Sequence, residues 1–274
     1  MRHLALCCEY DGSCFHGWQE QENASSVQGS LRSAWEELTG ENLHFRGSSR
    51  TDAGVSARAH VSDFFTETRI PTDKIAIALN TKLPEGVTAV KAVEVPEVFD
   101  ARRLPLGKLY VYRYWTGATR PSIGRQHMAF FPKAPQLESM LELAAKLEGE
   151  HDFEAMMDQG SVVRVTLRKI HRIALLQRGH RLSLFCLGDG FLYHQVRILA
   201  GTLYRNGIGK LSSEQVMQAM RDKNRPALGP TFPPEGLCLE RVFYPQEVFG
   251  EDGEEDYRYL IDHPEALTKF EYLI

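Results

Sequence analysis

The sequence has few cysteines, and their spacing forms no C-x-x-C pair. Only five of the 274 residues are cysteines. An odd count without paired spacing argues against a disulfide framework and against a structural zinc site. Cys7, Cys8 and Cys186 lie in apolar runs. We expect them to pack as small hydrophobic residues with free thiols.

Long apolar runs are also absent. No stretch of about 18 consecutive apolar residues occurs, so no membrane-spanning helix is predicted. Met1–Leu4 leads directly into a strand-like segment and lacks the apolar stretch of a signal peptide. We therefore expect a cytoplasmic protein without a membrane partner. The composition, 43% hydrophobic and 25% charged, is typical of a folded globular chain.

Charge is distributed unevenly along the chain. Residues 247–274 hold nine acidic and two basic residues, so the rest of the chain is weakly basic although the whole chain carries −4. Two segments, 101–137 and 159–188, contain no acidic residue and hold seven and six Lys or Arg residues. Clustered basic residues on a nearly neutral body are typical of a polyanion-binding surface, and equally compatible with two solvated strand edges.

Hydrophobic spacing predicts the element order β-α-β-β-α-β twice. The first copy comprises strands His3–Tyr10, Leu43–Gly47, Ala59–Thr66 and Val87–Val95, with one helix opened by a Ser25-Ser26-Val27-Gln28 capping box and another over Thr72–Leu83. The second copy comprises strands Lys108–Trp115, Arg168–Gln177, Arg181–Leu187 and Leu237–Tyr244, and helices after Pro135, over Gly190–Asn206 and after Ser212. Leu137, Leu141, Ala144 and Leu147 form the predicted apolar stripe of the helix after Pro135.

These patterns predict the α+β class. We expect two ferredoxin-like halves that form one mixed or antiparallel sheet, with an active-site cleft between the halves. The predicted organisation is an N-terminal half over residues 1–103, a C-terminal half over 104–246 and an acidic tail over 247–274. We expect the tail either to pack back on the body or to stay mobile, and we assign it no chemistry.

The segment Gly47-Ser48-Ser49-Arg50-Thr51-Asp52-Ala53-Gly54-Val55 is a compact loop between two predicted strands. A loop of small residues can display the Asp52 carboxylate on rigid backbone, with Arg50 beside it or facing a phosphate. Asp-x-Gly is also common turn chemistry, so this segment alone does not establish a site.

Two further segments carry candidate functional side chains. Gly188–Arg197 combines glycines with aromatic residues and places Arg197 on a helix, where a buried arginine needs a carboxylate partner. On the strand Lys108–Tyr114, alternation places Lys108, Tyr110, Tyr112 and Tyr114 on one face. Aromatic rings between cations suit stacking on nucleobases, and half-buried tyrosines of an ordinary strand give the same pattern.

Taken together and in order, these motifs resemble the bacterial tRNA pseudouridine synthase A family. The matching pieces cover about residues 3–245 and are Tyr10-Asp11-Gly12, Gly17-Trp18-Gln19, Ser26-Val27-Gln28, Arg50-Thr51-Asp52-Ala53-Gly54-Val55, Lys108-x-Tyr110-x-Tyr112, Gly190-Phe191-Leu192-Tyr193 with Val196-Arg197, Gly229-Pro230-Thr231 and Pro234-Glu235-Gly236-Leu237. Each piece is unspecific alone, whereas the ordered set is highly specific.

The resemblance implies an isomerase that converts uridine to pseudouridine in the anticodon stem-loop of tRNA. It implies that Asp52 is the nucleophile, that Arg197 pairs with it and that Tyr110 stacks on the target base. Arg50 would help to hold the RNA, and we assign Thr51 and Lys108 to the same substrate-binding group. It further implies a homodimer, a tRNA partner, and no metal or organic cofactor.

Elementary chemistry agrees with these roles. The reaction breaks a carbon–nitrogen glycosidic bond and forms a carbon–carbon bond to the same base, so nothing is oxidised and no redox cofactor is needed. One ionised carboxylate can attack the anomeric carbon or deprotonate beside it. The target nucleotide must first leave its stacked helix, as in other enzymes that act on bases.

The chain departs from the family pattern at three places. Ser49 stands where glycine usually precedes the arginine, Ser56 stands where histidine usually follows the valine, and Asp152–Met156 lacks the usual second phenylalanine. These departures leave a divergent paralogue with another RNA target open. A non-catalytic RNA-binding factor and a base-cleaving hydrolase are further alternatives. Retention of Asp52, Arg197 and Tyr110 favours the enzyme, and the absence of a second carboxylate motif near the loop disfavours the hydrolase.

The two acid-free segments generate a prediction about RNA affinity. Each phosphate that a Lys or Arg neutralises releases counterions, so affinity should fall linearly on a log–log plot against salt, by about tenfold or more between 50 and 200 mM. Filter binding of tRNA across this range measures the slope. A flat profile would contradict electrostatic binding by these segments.

Overall fold

The computed structural model describes residues 1–160, 163–250 and 252–271. They fall into two compact units: Met1–Leu106 with Cys238–Tyr257, and Gly107–Leu237 with the segment from Arg258 onward. Within the described residues, no helix has the length and apolarity needed to cross a membrane.

The first unit holds a mixed sheet. Its strands run in the order β4-β1-β3-β10, with β1 antiparallel to both of its neighbours and β10 parallel to β3. Its elements are β1 (Arg2–Tyr10), α1 (Val27–Thr39), β2 (Arg46–Gly47), β3 (Ser56–Thr66), α2 (Thr72–Asn80), β4 (Val87–Glu94) and β10 (Leu237–Phe243). Trp35 of α1 packs edge-on against Phe64 of β3, with ring centroids 4.9 Å apart, so this helix covers the sheet through large apolar side chains.

The second unit holds an antiparallel sheet in the order β5-β9-β8-β7, with the short β6 parallel to β5. Its elements are β5 (Gly107–Thr116), β6 (Ala129–Phe131), α3 (Leu137–Leu147), β7 (Gly149–Asp152), β8 (Leu167–Arg178), β9 (Arg181–Gly188), α4 (Gln195–Gly207) and α5 (Ser213–Arg221), and α6 (Glu254–Asp262) follows β10. The predicted α+β class is confirmed. The short strands β6 and β7 were not predicted, because three or four residues carry too little periodicity.

The capping box predicted for α1 is wrong. Ser26 is the N-cap, and its hydroxyl accepts from the Gly29 N–H. Gln28 instead accepts from the Glu20 N–H at 2.9 Å and donates to the Phe45 carbonyl at 2.8 Å. The glutamine therefore ties two loops to α1. A complete capping box is instead found at the start of α5, between Ser212 and Gln215.

Two predictions about the second unit also need correction. The apolar stripe assigned to α3 is rotated, since Leu141 is exposed while Met140 and Leu143 are fully buried. The helix predicted from Gly190 begins only at Gln195, after His194 in the left-handed conformation. Tertiary contacts of residues 190–194 replace the helical turn that the spacing favours.

Strand β2 is only two residues long rather than the predicted Leu43–Gly47, and a buried carboxylate holds its first residue. Asp63 on β3 is 1% exposed and accepts from Arg46 Nε at 3.0 Å and Arg46 Nη2 at 2.5 Å. His3 Nε2 lies 2.8 Å from Asp63, and the Ala101 N–H donates to it at 2.9 Å. The pairing that defines β2 is thus fixed by the arginine at its first residue.

The cysteine prediction is confirmed: Cys7, Cys8 and Cys186 are buried and unbridged. Burial raises the pKa of Cys7 to about 12 and raises the pKa of Cys186 further. These thiols are therefore protonated and unreactive at neutral pH.

The described residues of the acidic tail pack on the body, which is one of the two outcomes expected for the tail. Leu267 and Phe270 are buried within the second unit. Glu271 forms an ion pair with Arg113 of β5, with Nε and Oε2 3.6 Å apart and both side chains nearly inaccessible. Arg113 also donates to the Phe270 carbonyl at 3.3 Å. The described end of the tail, up to Glu271, is therefore held by both apolar and ionic contacts.

We expect Glu271→Gln to lower the free energy of unfolding by about 3 kcal/mol, because it removes one charge of a buried ion pair. Urea unfolding measures the loss. Glu265→Gln, which changes a 75% exposed side chain of the same segment, should stay within about 0.5 kcal/mol of the unmodified protein. Equal stability of both variants would contradict a structural role for the pair.

Candidate active site

Asp52 lies on a tight turn between β2 and β3. The Val55 N–H donates to the Asp52 carbonyl at 3.1 Å, and Gly54 adopts a φ of 81° that favours glycine. Val55 is buried, Asp52 is partly exposed and Arg50 is exposed. The turn is therefore anchored at its end and carries a partly exposed Asp52.

Two glycines let a neighbouring segment approach this loop closely. A Cβ at Gly12 would lie 2.4 Å from the Val55 carbonyl carbon, and one at Gly17 would lie 2.7 Å from the Thr51 carbonyl oxygen. The same segment accepts from the Gly54 N–H through the Phe15 carbonyl, at 3.3 Å. Residues 12–17 thus form a backbone cradle for the Asp52 loop.

Hydroxyl groups complete this cradle. The Ser56 hydroxyl accepts from the Gly12 N–H at 3.0 Å, and the Thr51 and Tyr10 hydroxyls are 2.8 Å apart. Thr51 and Ser56 are both buried. Ser56, one of the departures from the family pattern, therefore has a structural partner in this chain. The hydroxyl of Thr51, a residue of the Asp52 loop, is therefore directed toward the Tyr10 hydroxyl at the end of β1.

An aromatic stack lies within the same unit. Trp18 stacks on His60 with ring centroids 3.7 Å apart, and both side chains are buried. His60 Nε2 is 2.9 Å from the Ser49 carbonyl. Only a glycine fits at position 47, because a Cβ there would lie 2.4 Å from the Trp18 ring. These contacts fix the first half of the loop.

In the second unit, Arg197 lies in the first turn of α4. Its Nε donates to the Phe232 carbonyl at 2.7 Å, and the Phe232 N–H donates to the Arg197 carbonyl at 3.2 Å. The bond from Nε orients the guanidinium group, and the backbone bond holds Phe232 beside α4. Arg197 is thus held by a segment of chain that the sequence did not connect with it.

Tyr110 remains a candidate for stacking, whereas Tyr112 and Tyr114 do not. Tyr110 is 8% exposed and packs edge-on against Phe191, with ring centroids 5.3 Å apart. This contact places the motif that contains Phe191, Gly190–Tyr193, next to β5. Tyr112 and Tyr114 are fully buried, and burial raises the pKa of both. Their hydroxyls donate to backbone carbonyls of Pro233 and Ala200.

Lys108, on the same strand as Tyr110, is partly exposed and lies opposite Gly188 in the β5–β9 register.

Among the described residues, no group of three or more His, Cys, Asp or Glu side chains is arranged to hold a metal ion.

The family of the chain follows from comparison with known proteins. The model of the tRNA pseudouridine synthase family matches residues 6–102 and 143–245. The chain belongs to this family. The matched ranges include the Asp52 loop and α4 with Arg197, while Lys108 and Tyr110 lie between them and the acidic tail lies beyond them.

Individual relatives carry a more particular name. The chain is 41% identical to a tRNA pseudouridine synthase A of Clostridium kluyveri over 89% of this chain and all of the relative. It is 37% identical to tRNA pseudouridine synthase A 2 of Clostridium perfringens with the same coverage of both chains. Among solved structures, similarity to a Cbf5-Nop10-Gar1 complex is remote, with 14% identity, a TM-score of 0.39 and coverage of 93% of this chain and 57% of that chain.

Some supporting residues were missed from the sequence. Tyr10, Gly12 and Trp18 stood in motifs that matched the family, yet no role was predicted for them; the structure shows that they support the Asp52 loop. The Gly229-Pro230-Thr231 motif was likewise recognised without a role. Asp158 carried no sequence signal, because its partners lie far away along the chain.

Gly12→Ala should destabilise the Asp52 loop. The added methyl group would collide with the backbone of Gly54 and Val55, and such overpacking costs about 1–3 kcal/mol. We expect a lower unfolding temperature and faster amide hydrogen exchange over Ser48–Val55. Gly190→Ala is the matched control, since a Cβ there meets only the Arg168 side chain at 3.8 Å. Unchanged exchange in Gly12→Ala would refute the cradle.

Proposed function

We propose that this protein isomerises uridine to pseudouridine in tRNA. The single observation that carries the proposal is the family match, because it spans both the Asp52 loop and the α4 segment with Arg197. Similarity to relatives named tRNA pseudouridine synthase A over their entire length supports tRNA as the substrate. The substrate site within the tRNA is the anticodon stem-loop, as the family resemblance implies.

Asp52 is the nucleophile in this proposal. Its carboxylate attacks the anomeric carbon of the target uridine, or removes a proton beside it, and the glycosidic carbon–nitrogen bond breaks. The detached base turns, and its C5 forms the new bond to the anomeric carbon. On the first route this bond displaces the Asp52 carboxylate, and on the second route the proton taken up by Asp52 returns to the sugar. On both routes C5 gives up its proton and the former glycosidic nitrogen gains one, so the product is an isomer of the substrate. The anchored turn and the partial exposure of Asp52 support this role, because a rigid carboxylate can meet the extruded nucleotide without reorganising.

The remaining candidate residues act on charge and on position. Arg197 pairs with Asp52. The hydrogen bond from Arg197 Nε to the Phe232 carbonyl supports a fixed orientation of the guanidinium group in that pair. Tyr110 forms the stacking wall for the base, supported by its packing against Phe191. The exposed Arg50 and the partly exposed Lys108 contact RNA phosphates. Thr51 belongs to the same substrate-binding group, and its bond to the Tyr10 hydroxyl supports a fixed loop shape for that role.

The proposal extends to assembly and location. The enzyme acts as a homodimer, as the resemblance implies, and in the cytoplasm, as the sequence predicts. Sedimentation with and without tRNA tests the first point. The functional test incubates the purified protein with a tRNA transcript, digests the RNA and separates the nucleosides by chromatography. Pseudouridine is expected. Release of free uracil would instead identify a base-cleaving hydrolase, and an unchanged nucleoside profile would refute the proposal.

Asp52→Asn should abolish pseudouridine formation and retain tRNA binding. The amide has nearly the size of the carboxylate but is a poor nucleophile and a poor base, whereas most of the affinity comes from phosphate contacts that the change leaves intact. Binding and yield are measured on the same preparation. Asp73→Asn, which alters an exposed carboxylate of α2, should retain both. Normal yield from Asp52→Asn would show that Asp52 is not the nucleophile.

A further inference from the structure

Asp158 lies at the centre of a hydrogen-bond network outside the residues assigned so far. Its carboxylate receives bonds from His194 Nδ1 at 2.8 Å, from Arg225 Nε at 2.8 Å and from the Thr231 hydroxyl at 2.5 Å. Partial burial tends to raise the Asp158 pKa, but the bonds from Thr231, His194 and Arg225 outweigh burial and lower it. The carboxylate is therefore ionised at neutral pH, and all three partners act as donors.

One arm of the network reaches the start of α4. His194 is the N-cap of this helix and has a φ of 62°, a left-handed conformation that residues with a Cβ rarely adopt unless their surroundings hold them. Its carbonyl accepts from the Ile198 N–H at 3.0 Å, so its conformation sets the direction in which the helix begins. Arg197 lies three residues later, within this first turn.

The other arm holds the segment Gly229–Phe232, which we call the strap. Arg225 donates from Nη1 to the Gly229 carbonyl and from Nη2 to the Thr231 hydroxyl, each at 2.8 Å. The strap ends at Phe232, whose carbonyl accepts from Arg197 Nε at 2.7 Å. The carboxylate thus controls both the backbone that carries Arg197 and the acceptor that orients its side chain.

The strap also crosses α4 at very short range. A Cβ at Gly201 would lie 2.1 Å from the Pro230 carbonyl oxygen, and the Gly229 N–H donates to the Thr202 hydroxyl at 3.0 Å. A sideways movement of the strap would therefore be resisted by helix backbone. Loss of the Asp158 bonds should instead free the Thr231 end and tilt the Phe232 carbonyl.

We propose that Asp158 is a positioning residue for Arg197, tying His194 and the strap together so that the guanidinium group points in one direction. The inference rests on the proposed function, in which Arg197 pairs with the nucleophile. Asp158 itself touches neither substrate nor reacting atoms. Its contribution is the fixed geometry of the arginine, and a misplacement of about 1 Å can cost on the order of a hundredfold in rate.

The principal test is Asp158→Asn, assayed in single-turnover reactions with excess enzyme on a tRNA transcript. The amide keeps the size of the side chain but cannot accept from three donors. We expect the rate at saturating enzyme to fall about tenfold to a hundredfold, and the enzyme concentration at half-maximal rate to change by less than about twofold because phosphate contacts are untouched.

Asp152→Asn is the matched control. Asp152 also has a lowered pKa and accepts bonds from Thr166 and Lys223, but none of its bonds leads to α4 or to the strap. Its variant should retain the saturating rate even where it unfolds more easily. An equal loss of rate in Asp152→Asn would show that general loosening of the unit, rather than positioning of Arg197, explains the effect.

Thr231→Val removes one arm of the network with little change in side-chain shape, and it decides the question if Asp158→Asn does not fold. We expect the same selective loss of saturating rate. The double variant should lose little more than either single variant, because both changes break one connected path. Additive losses, or an unchanged rate in both single variants, would overturn the proposal.

Failure of this inference is distinguishable from failure of the proposed function. If the unmodified protein forms no pseudouridine, the proposed function fails. If it forms pseudouridine, Asp52→Asn does not, and Asp158→Asn equals the unmodified protein, then only the positioning role fails.

Discussion

A carboxylate that is buried in a protein needs hydrogen-bond donors in place of the water it loses. Each unit of the chain is organised around one such carboxylate. In the first unit, Asp63 gathers donors from His3, Arg46 and the backbone of Ala101 and so joins the edge of the sheet to a distant loop. In the second, Asp158 gathers three side chains from segments that are remote along the chain. Each carboxylate fixes the relative positions of its donors because losing any one of them would remove a hydrogen bond from a carboxylate that is shielded from water.

The Asp52 loop is built on a different constraint, the absence of side-chain atoms. Gly12 and Gly17 allow two backbone segments to touch, and the hydroxyls of Thr51 and Ser56 are turned inward to satisfy groups that this contact buries. Preorganisation of this kind suits a carboxylate that acts as a nucleophile, since the loop need not be ordered at the moment of reaction. Rigidity here comes from packing and from backbone hydrogen bonds.

The acidic tail shows that net charge along a sequence does not predict the fate of a segment. Residues 247–274 hold nine acidic and two basic residues, a net charge of −7 against −4 for the whole chain. The described part of the tail nevertheless packs on the body through Leu267 and Phe270 and pairs Glu271 with Arg113. The family match ends at residue 245, so this contact belongs to a part of the chain outside the matched region. Arg113 was counted among the basic residues of an acid-free segment and is in fact buried and paired.

The sequence by itself determined the α+β class, the order of the main elements, the buried cysteines and the family motifs around Asp52 and Arg197. These follow from periodicity and from short motifs, which depend on neighbours within about ten residues. Only the tertiary structure decided that α4 begins at Gln195, that Gln28 bonds to loops instead of capping α1, that Tyr112 and Tyr114 are core residues and that Asp158 holds His194, Arg225 and Thr231. Each of these depends on which groups the fold brings together, because a polar side chain in a protein interior bonds to whichever donor or acceptor is near in space, whatever its distance along the chain.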